Sequence, residues 1–112
     1  MNAVLHFSGD ESQQAHAIAN ARNLLEDDST AVESVVLVAN GDGVALLTSD
    51  STDPGSVESL AEAGVALRAC ANSLKSRDLS EADLLDGVER VPAGVGEVVK
   101  RQADGHAYVK VP

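Results

Sequence analysis

Apolar positions along the chain switch between short uninterrupted runs and a spacing of three to four residues, the pattern of strands alternating with helices. Ala3 to Phe7 predicts a first strand. Ser8 and Glu11 have capping-box spacing, and the helix they would open carries Ala15, Ile18, Ala21 and Leu25 on one face and ends near Asp27. The run Val35-Val36-Leu37-Val38-Ala39 has no polar alternation, as expected of a central parallel strand covered on both faces. Asn40-Gly41-Asp42-Gly43 breaks that run, Val44 to Leu47 predicts one helical turn, and Thr48 to Asp53 is a polar surface loop. Asp53 is placed to cap a short helix with Pro54 at its first position, and Gly64 closes it. A third strand, Val65 to Ala69, runs into a helical turn over Cys70-Ala71-Asn72-Ser73-Leu74. Ser80 to Asp83 has cap spacing for a short turn, and Val88 to Val91 is a weak fourth strand. Ala93 to Ala103 sets Val95, Val98, Val99 and Gln102 at helical spacing before Gly105 ends the helix. In the last strand, Ala107, Val109 and Val111 alternate with Tyr108 and Lys110, as on a half-exposed edge.

Five strands joined by helices predict a three-layer α/β/α fold around a five-stranded parallel sheet, flavodoxin-like in general architecture, because parallel neighbours need crossover connections. With 112 residues the chain makes a single domain, residues 1–112. In such sheets ligands and chemistry gather beyond the strand carboxyl ends. Here that edge receives His6 to Gly9, Asn40 to Gly43, Cys70 to Ser73 and Val91 to Gly94.

Composition narrows the function. One Phe, one Tyr and no Trp exclude an aromatic platform for single-stranded nucleic acid. Eighteen acidic against eight basic residues give a formal charge of −10, which repels phosphate backbones and anionic membranes alike. No nucleic-acid or membrane partner is expected, and no apolar run approaches the ~20 residues that cross a bilayer. The first residues show no signal peptide, and a lone cysteine cannot form an internal disulfide; both favour the reducing cytoplasm. The acidic residues are dispersed from Asp10 to Asp104 and lysine is nearly absent. Such a surface suits concentrated salt, where screening removes self-repulsion, although an ordinary acidic bacterial protein is the alternative.

Few constellations carry chemistry. Gly41-Asp42-Gly43 is too short for a dinucleotide fingerprint, and the phosphate-loop lysine motif is missing. Gly94-Val95-Gly96 opens a helix whose amides could face an anion, but a tight turn explains both glycines. His6, His16 and His106 lie in separate elements and one cysteine cannot complete a zinc site, so neither metal nor cofactor is expected. His6 lines the carboxyl edge or is a histidine partly buried against a helix. Cys70 stands apart, because a thiol just before a helical turn faces backbone N–H groups and the positive end of the dipole. Arg68, Lys75 and Arg77 lie close to it in sequence. The competing reading is a small buried hydrophobe. Spacing alone leaves both open.

In order along the chain stand Val4-Leu5-His6-Phe7, Asn23-Leu24-Leu25, Val36-Leu37-Val38-Ala39 with Asn40-Gly41, and Gly64-Val65 leading into Cys70-Ala71-Asn72-Ser73-Leu74. Asp83-Leu84-Leu85 with Gly87-Val88, Val91-Pro92-Ala93-Gly94-Val95 and Gly105-His106-Ala107-Tyr108-Val109-Lys110 complete the set. In these features the sequence resembles the DsrE/DsrF-like family of small sulfur-relay proteins over nearly its whole length, most closely the stand-alone branch. The resemblance implies a three-layer fold, a homo-oligomer (trimer or hexamer), and Cys70 as the sulfur-accepting cysteine that takes sulfane sulfur as a persulfide. A donor or acceptor protein would be its partner. Asn72-Ser73 stands where relay subunits carry a more Ala-rich turn. With Cys70 as nucleophile, the amides of Asn72 and Ser73 would stabilise its anion and Lys75 or Arg77 would add positive field. His6, Asn40 and Gly41 would line the same edge. The rival is a non-catalytic oligomeric ligand-binding or interaction module in which Cys70 is packed structure.

Overall fold

The computed structural model describes residues 1–112. Five strands, β1 (Asn2–Phe7), β2 (Ser34–Ala39), β3 (Ala66–Cys70), β4 (Val88–Val91) and β5 (Ala107–Lys110), form one sheet in the order β4-β3-β2-β1-β5. All four pairings are parallel. The helices are α1 (Gln14–Glu26), α2 (Pro54–Glu62), α3 (Ala71–Ser76) and α4 (Gly94–Ala103), with 3-10 stretches at Glu11–Gln13, Gly41–Leu47 and Glu81–Asp83. From β1 to β4 the chain steps across the sheet in one direction, and right-handed crossovers put α1 to α3 on one face. The return to β5 runs the opposite way, so the same handedness puts α4 on the other face. This is the three-layer α/β/α fold the sequence predicted.

The two faces are unequally filled. Leu5, Phe7, Leu37 and Leu67 meet Ala17, Ile18 and Ala21 of α1, Val57 and Leu60 of α2, and Leu74 of α3 in a 19-residue core. Beneath α4 the core is only Val4, Val36, Val38 and Val98. Val35 to Ala39 are all buried, because β2 is the middle strand and is covered on both sides.

Three local expectations are corrected. Ser8 does not cap the first helical segment; Asp10 does, accepting from the Ser12 amide at 2.9 Å while Gln13 reaches back to the Asp10 amide. Ser8 instead accepts from Lys110 Nζ at 2.7 Å. With the start displaced, α1 turns Gln14, Ala17, Ile18 and Ala21 inward and leaves Ala15 and Leu25 exposed. Gln14 tolerates burial because its side-chain oxygen accepts from the Thr52 amide and hydroxyl at 3.0 and 3.1 Å. In α4 only Val98 of the expected stripe is buried, while Val95 and Val99 are 60% and 65% exposed. A single helix crossing a thin valine layer presses only one row of side chains onto the sheet.

Candidate functional site

No loop separates β3 from α3: Cys70 ends the strand and caps the helix, with extended φ/ψ of −67° and 117°. Its sulfur therefore sits where the first helical amides have no intrahelical partner. The Cys70 side chain makes no capping hydrogen bond, but the Ser73 hydroxyl and the Ser73 and Asn72 amides lie in its surroundings and favour its anion. Gly94, the first residue of α4, approaches Cys70 from the far side of the strand ends, and its amide favours the anion too. Two helix starts thus converge on one thiol. Burial pushes the Cys70 pKa up, but the Ser73 hydroxyl and the amides of Gly94, Ser73 and Asn72 outweigh it and hold the thiol below its ordinary value. Donor groups so placed favour the charged form, hence thiolate.

The supports of these donors are also fixed. Gly41 donates its N–H to Ser73 Oγ at 2.7 Å, which ties the turn after β2 to the first turn of α3. Gly41 makes this bond from a left-handed conformation, φ +56°. A Cβ added at Gly94 would lie 3.0 Å from Asn40 Cβ and 3.3 Å from Cys70 Cβ, so a larger residue there would press on both unless they gave way by a few tenths of an ångström.

The other sequence-selected residues fall into three groups. Asn40 follows β2 and accepts through Oδ1 from His6 Nε2 at 2.8 Å. His6 is half-buried and reaches the Cys70 surroundings only through Asn40. Arg77 binds Asp42 at 2.8 Å and the Ser73 carbonyl at 3.1 Å, so its charge is spent clamping α3 to the segment after β2. Arg68 is held by Glu89 at 3.4 Å. Lys75 is exposed and lines an open groove of about 430 Å³ with Ala71, Asn72, Leu74 and Arg90, beginning one residue past the cysteine. The His, Cys, Asp and Glu side chains form no group of three or more that could hold a metal ion.

Sequence reasoning assigned Gly94 to a tight turn, and it missed the Ser73 hydroxyl as a donor and Tyr108 as a partner of His6. The signal for Gly94 was its place at the opening of a helix on the same sheet edge as Cys70. Nothing in the sequence pairs Tyr108 with His6, since strand order alone brings them together.

The model of the DsrE/DsrF-like family matches residues 1–111. The chain belongs to the DsrE/DsrF-like family. A solved structure of a protein of unknown function from Methanobacterium thermoautotrophicum, MTH1491, is 39% identical, with 97% of each chain covered and a TM-score of 0.88. This DsrE/DsrF-like chain also shares its fold with BT1422 of Bacteroides thetaiotaomicron, a conserved protein of unknown function, at 10% identity and a TM-score of 0.66, covering 97% of this chain and 93% of that one. No curated protein matches the chain. The DsrE/DsrF-like family is associated with sulfur relay, and this member has one cysteine.

Proposed function

We propose that the protein is a sulfur carrier of the sulfurtransferase type, with Cys70 as its sulfur-accepting nucleophile. The observation that carries this reading is the place of the single cysteine, at the carboxyl end of β3 where α3 begins and beside the start of α4, with surroundings that lower its thiol pKa despite burial. In loading, the thiolate attacks a sulfane sulfur of a polysulfide; a new S–S bond forms, the old one breaks, and the shortened polysulfide leaves with the electron pair. In unloading, a partner thiolate attacks the outer sulfur and Cys70 departs as thiolate. The same surroundings assist both steps, since a low thiol pKa makes a better leaving group. One cysteine cannot resolve its own persulfide, so turnover requires a partner thiol, on a protein or a small molecule, in a reducing compartment such as the cytoplasm. The chain would work as a homo-oligomer, a trimer or hexamer by family analogy.

A second reading has one observation in its favour. Cys70 is only 5% exposed and belongs to the larger core, as a structural cysteine in a non-catalytic module would. Intact mass after exposure to polysulfide separates the two. The carrier gains +32 Da, one sulfur atom, and Cys70→Ser gains nothing. Unmodified wild-type protein would favour the structural cysteine.

A further inference from the structure

A hydrogen-bonded chain crosses the carboxyl end of the sheet without touching Cys70. Tyr108 on edge strand β5 bonds His6 Nδ1 at 2.7 Å, and His6 Nε2 bonds Asn40 Oδ1 at 2.8 Å. The roles follow from the termini: Asn40 Oδ1 can only accept, so Nε2 donates, and in the neutral ring Nδ1 is left to accept the Tyr108 hydroxyl. The two rings lie 5.8 Å apart at 56°, so Tyr108 also braces the imidazole from one side. Parallel pairing makes the contact possible by setting Val4 beside Tyr108 and His6 beside Lys110.

Asn40 is where this chain meets the thiol's supports. Its amide donates to the Phe7 carbonyl at 3.1 Å and its own carbonyl accepts from Gly43 at 3.0 Å, which anchors the start of the turn after β2. The next residue, Gly41, supplies the N–H on Ser73 Oγ, and Asn40 Cβ abuts the position where α4 begins at Gly94. Two neighbours of Cys70, the Ser73 side chain and the start of α4 at Gly94, therefore depend on where Asn40 stands.

We propose that Tyr108, His6 and Asn40 act as positioning residues for Cys70, fixing the turn after β2 so that Gly41 holds the Ser73 side chain and Gly94 keeps its close approach to the cysteine. The inference rests on the carrier reading, because a thiol that never ionises needs no such positioning. It gives the edge strand a part in the chemistry and ties four adjacent strands, β5, β1, β2 and β3, to one sulfur.

The test is the rate of iodoacetamide alkylation of folded protein between pH 6 and 10. Tyr108→Phe keeps the ring and removes only the hydroxyl. Loss of one hydrogen bond's worth of positioning should slow alkylation at pH 7 by roughly 2–10-fold. At pH 10, where the sulfur is ionised in both proteins, the rates should converge; a merely loosened structure would change the rate at every pH. His6→Phe, which empties both bonds, should shift the profile the same way. Val109→Thr is the control, since Val109 pairs with Leu5 and lines the opposite, α1 side of β5. It should leave the profile unchanged. If Tyr108→Phe and His6→Phe reproduce the wild-type profile while wild-type Cys70 reacts readily, the positioning role is wrong and the carrier reading stands. If wild-type Cys70 reacts only in denaturant, both fall.

Discussion

Two opposed effects act on the proton of Cys70: burial favours the neutral thiol, and the Ser73 hydroxyl with the amides of Gly94, Ser73 and Asn72 favours the anion. The donors win, and that has a consequence for stability. A thiol pKa lowered from 9.0 by folding means that the native state releases its proton at lower pH than the unfolded chain does. Between the native value and about pH 9 the unfolded state holds more protons, so stability rises with pH across that window. The contribution is complete above the unfolded pKa and is lost as pH falls through the folded one. Cys70→Ser lacks it. Urea midpoints of the two proteins should therefore diverge in favour of wild type between pH 7 and pH 9, whereas a constant or shrinking difference would mean that the donors do not stabilise thiolate. The sequence showed half of this arrangement. A cysteine before a helical turn implies the Asn72 and Ser73 amides, because they follow it in the chain. Gly94 and the Gly41 support of Ser73 depend on loops brought together by β2, β3 and β4, which no local spacing encodes.

At the scale of elements, regular patterns were readable wherever one partner decided the outcome. The unbroken apolar run of β2 could fit only the middle of the sheet, and Asp53 with Pro54 could only open a helix; the Asp53 side chain accepts from the Ser56 amide at 3.1 Å. Patterns failed where two candidates competed. Asp10 displaced Ser8 as cap, and that shift rotated the buried face of α1. The apolar stripe of α4 is real in sequence, but one helix over a four-valine layer buries only Val98. Val95 and Val99 remain exposed, as do all four residues of edge strand β5. An unpaired edge beside an apolar helix row gains by being covered, which is the physical ground for expecting a homo-oligomer. On that basis Val99→Asp should lower the mass found by light scattering at micromolar concentration while leaving the circular dichroism spectrum unchanged. A wild-type monomer under the same conditions would contradict the oligomer, and an unchanged assembly of Val99→Asp would place the interface elsewhere.

The whole molecule carries a formal charge of −10, and four of its eight basic side chains, Arg68, Arg77, Arg90 and Arg101, are already paired with carboxylates. These pairs leave most of the carboxylates without a basic partner, so the excess negative charge must be screened by solvent ions. Lowering potassium chloride from 1 M to 0.01 M stretches the screening length from ~3 Å to ~30 Å. The thermal midpoint should fall as salt is removed; a flat or rising midpoint would contradict salt adaptation. No helix is long and apolar enough to cross a membrane. Fold, family and charge together frame one chemical claim, that folding turns the single cysteine into a nucleophile rather than hiding it. The most direct measurement is the alkylation rate of Cys70 by iodoacetamide at pH 7 in native protein and in denaturant. The account predicts native reaction without denaturant and an apparent thiol pKa below the free-cysteine reference of ~8.5. Reaction that begins only once the chain is unfolded would show Cys70 to be buried structure, and the carrier function would fail with it.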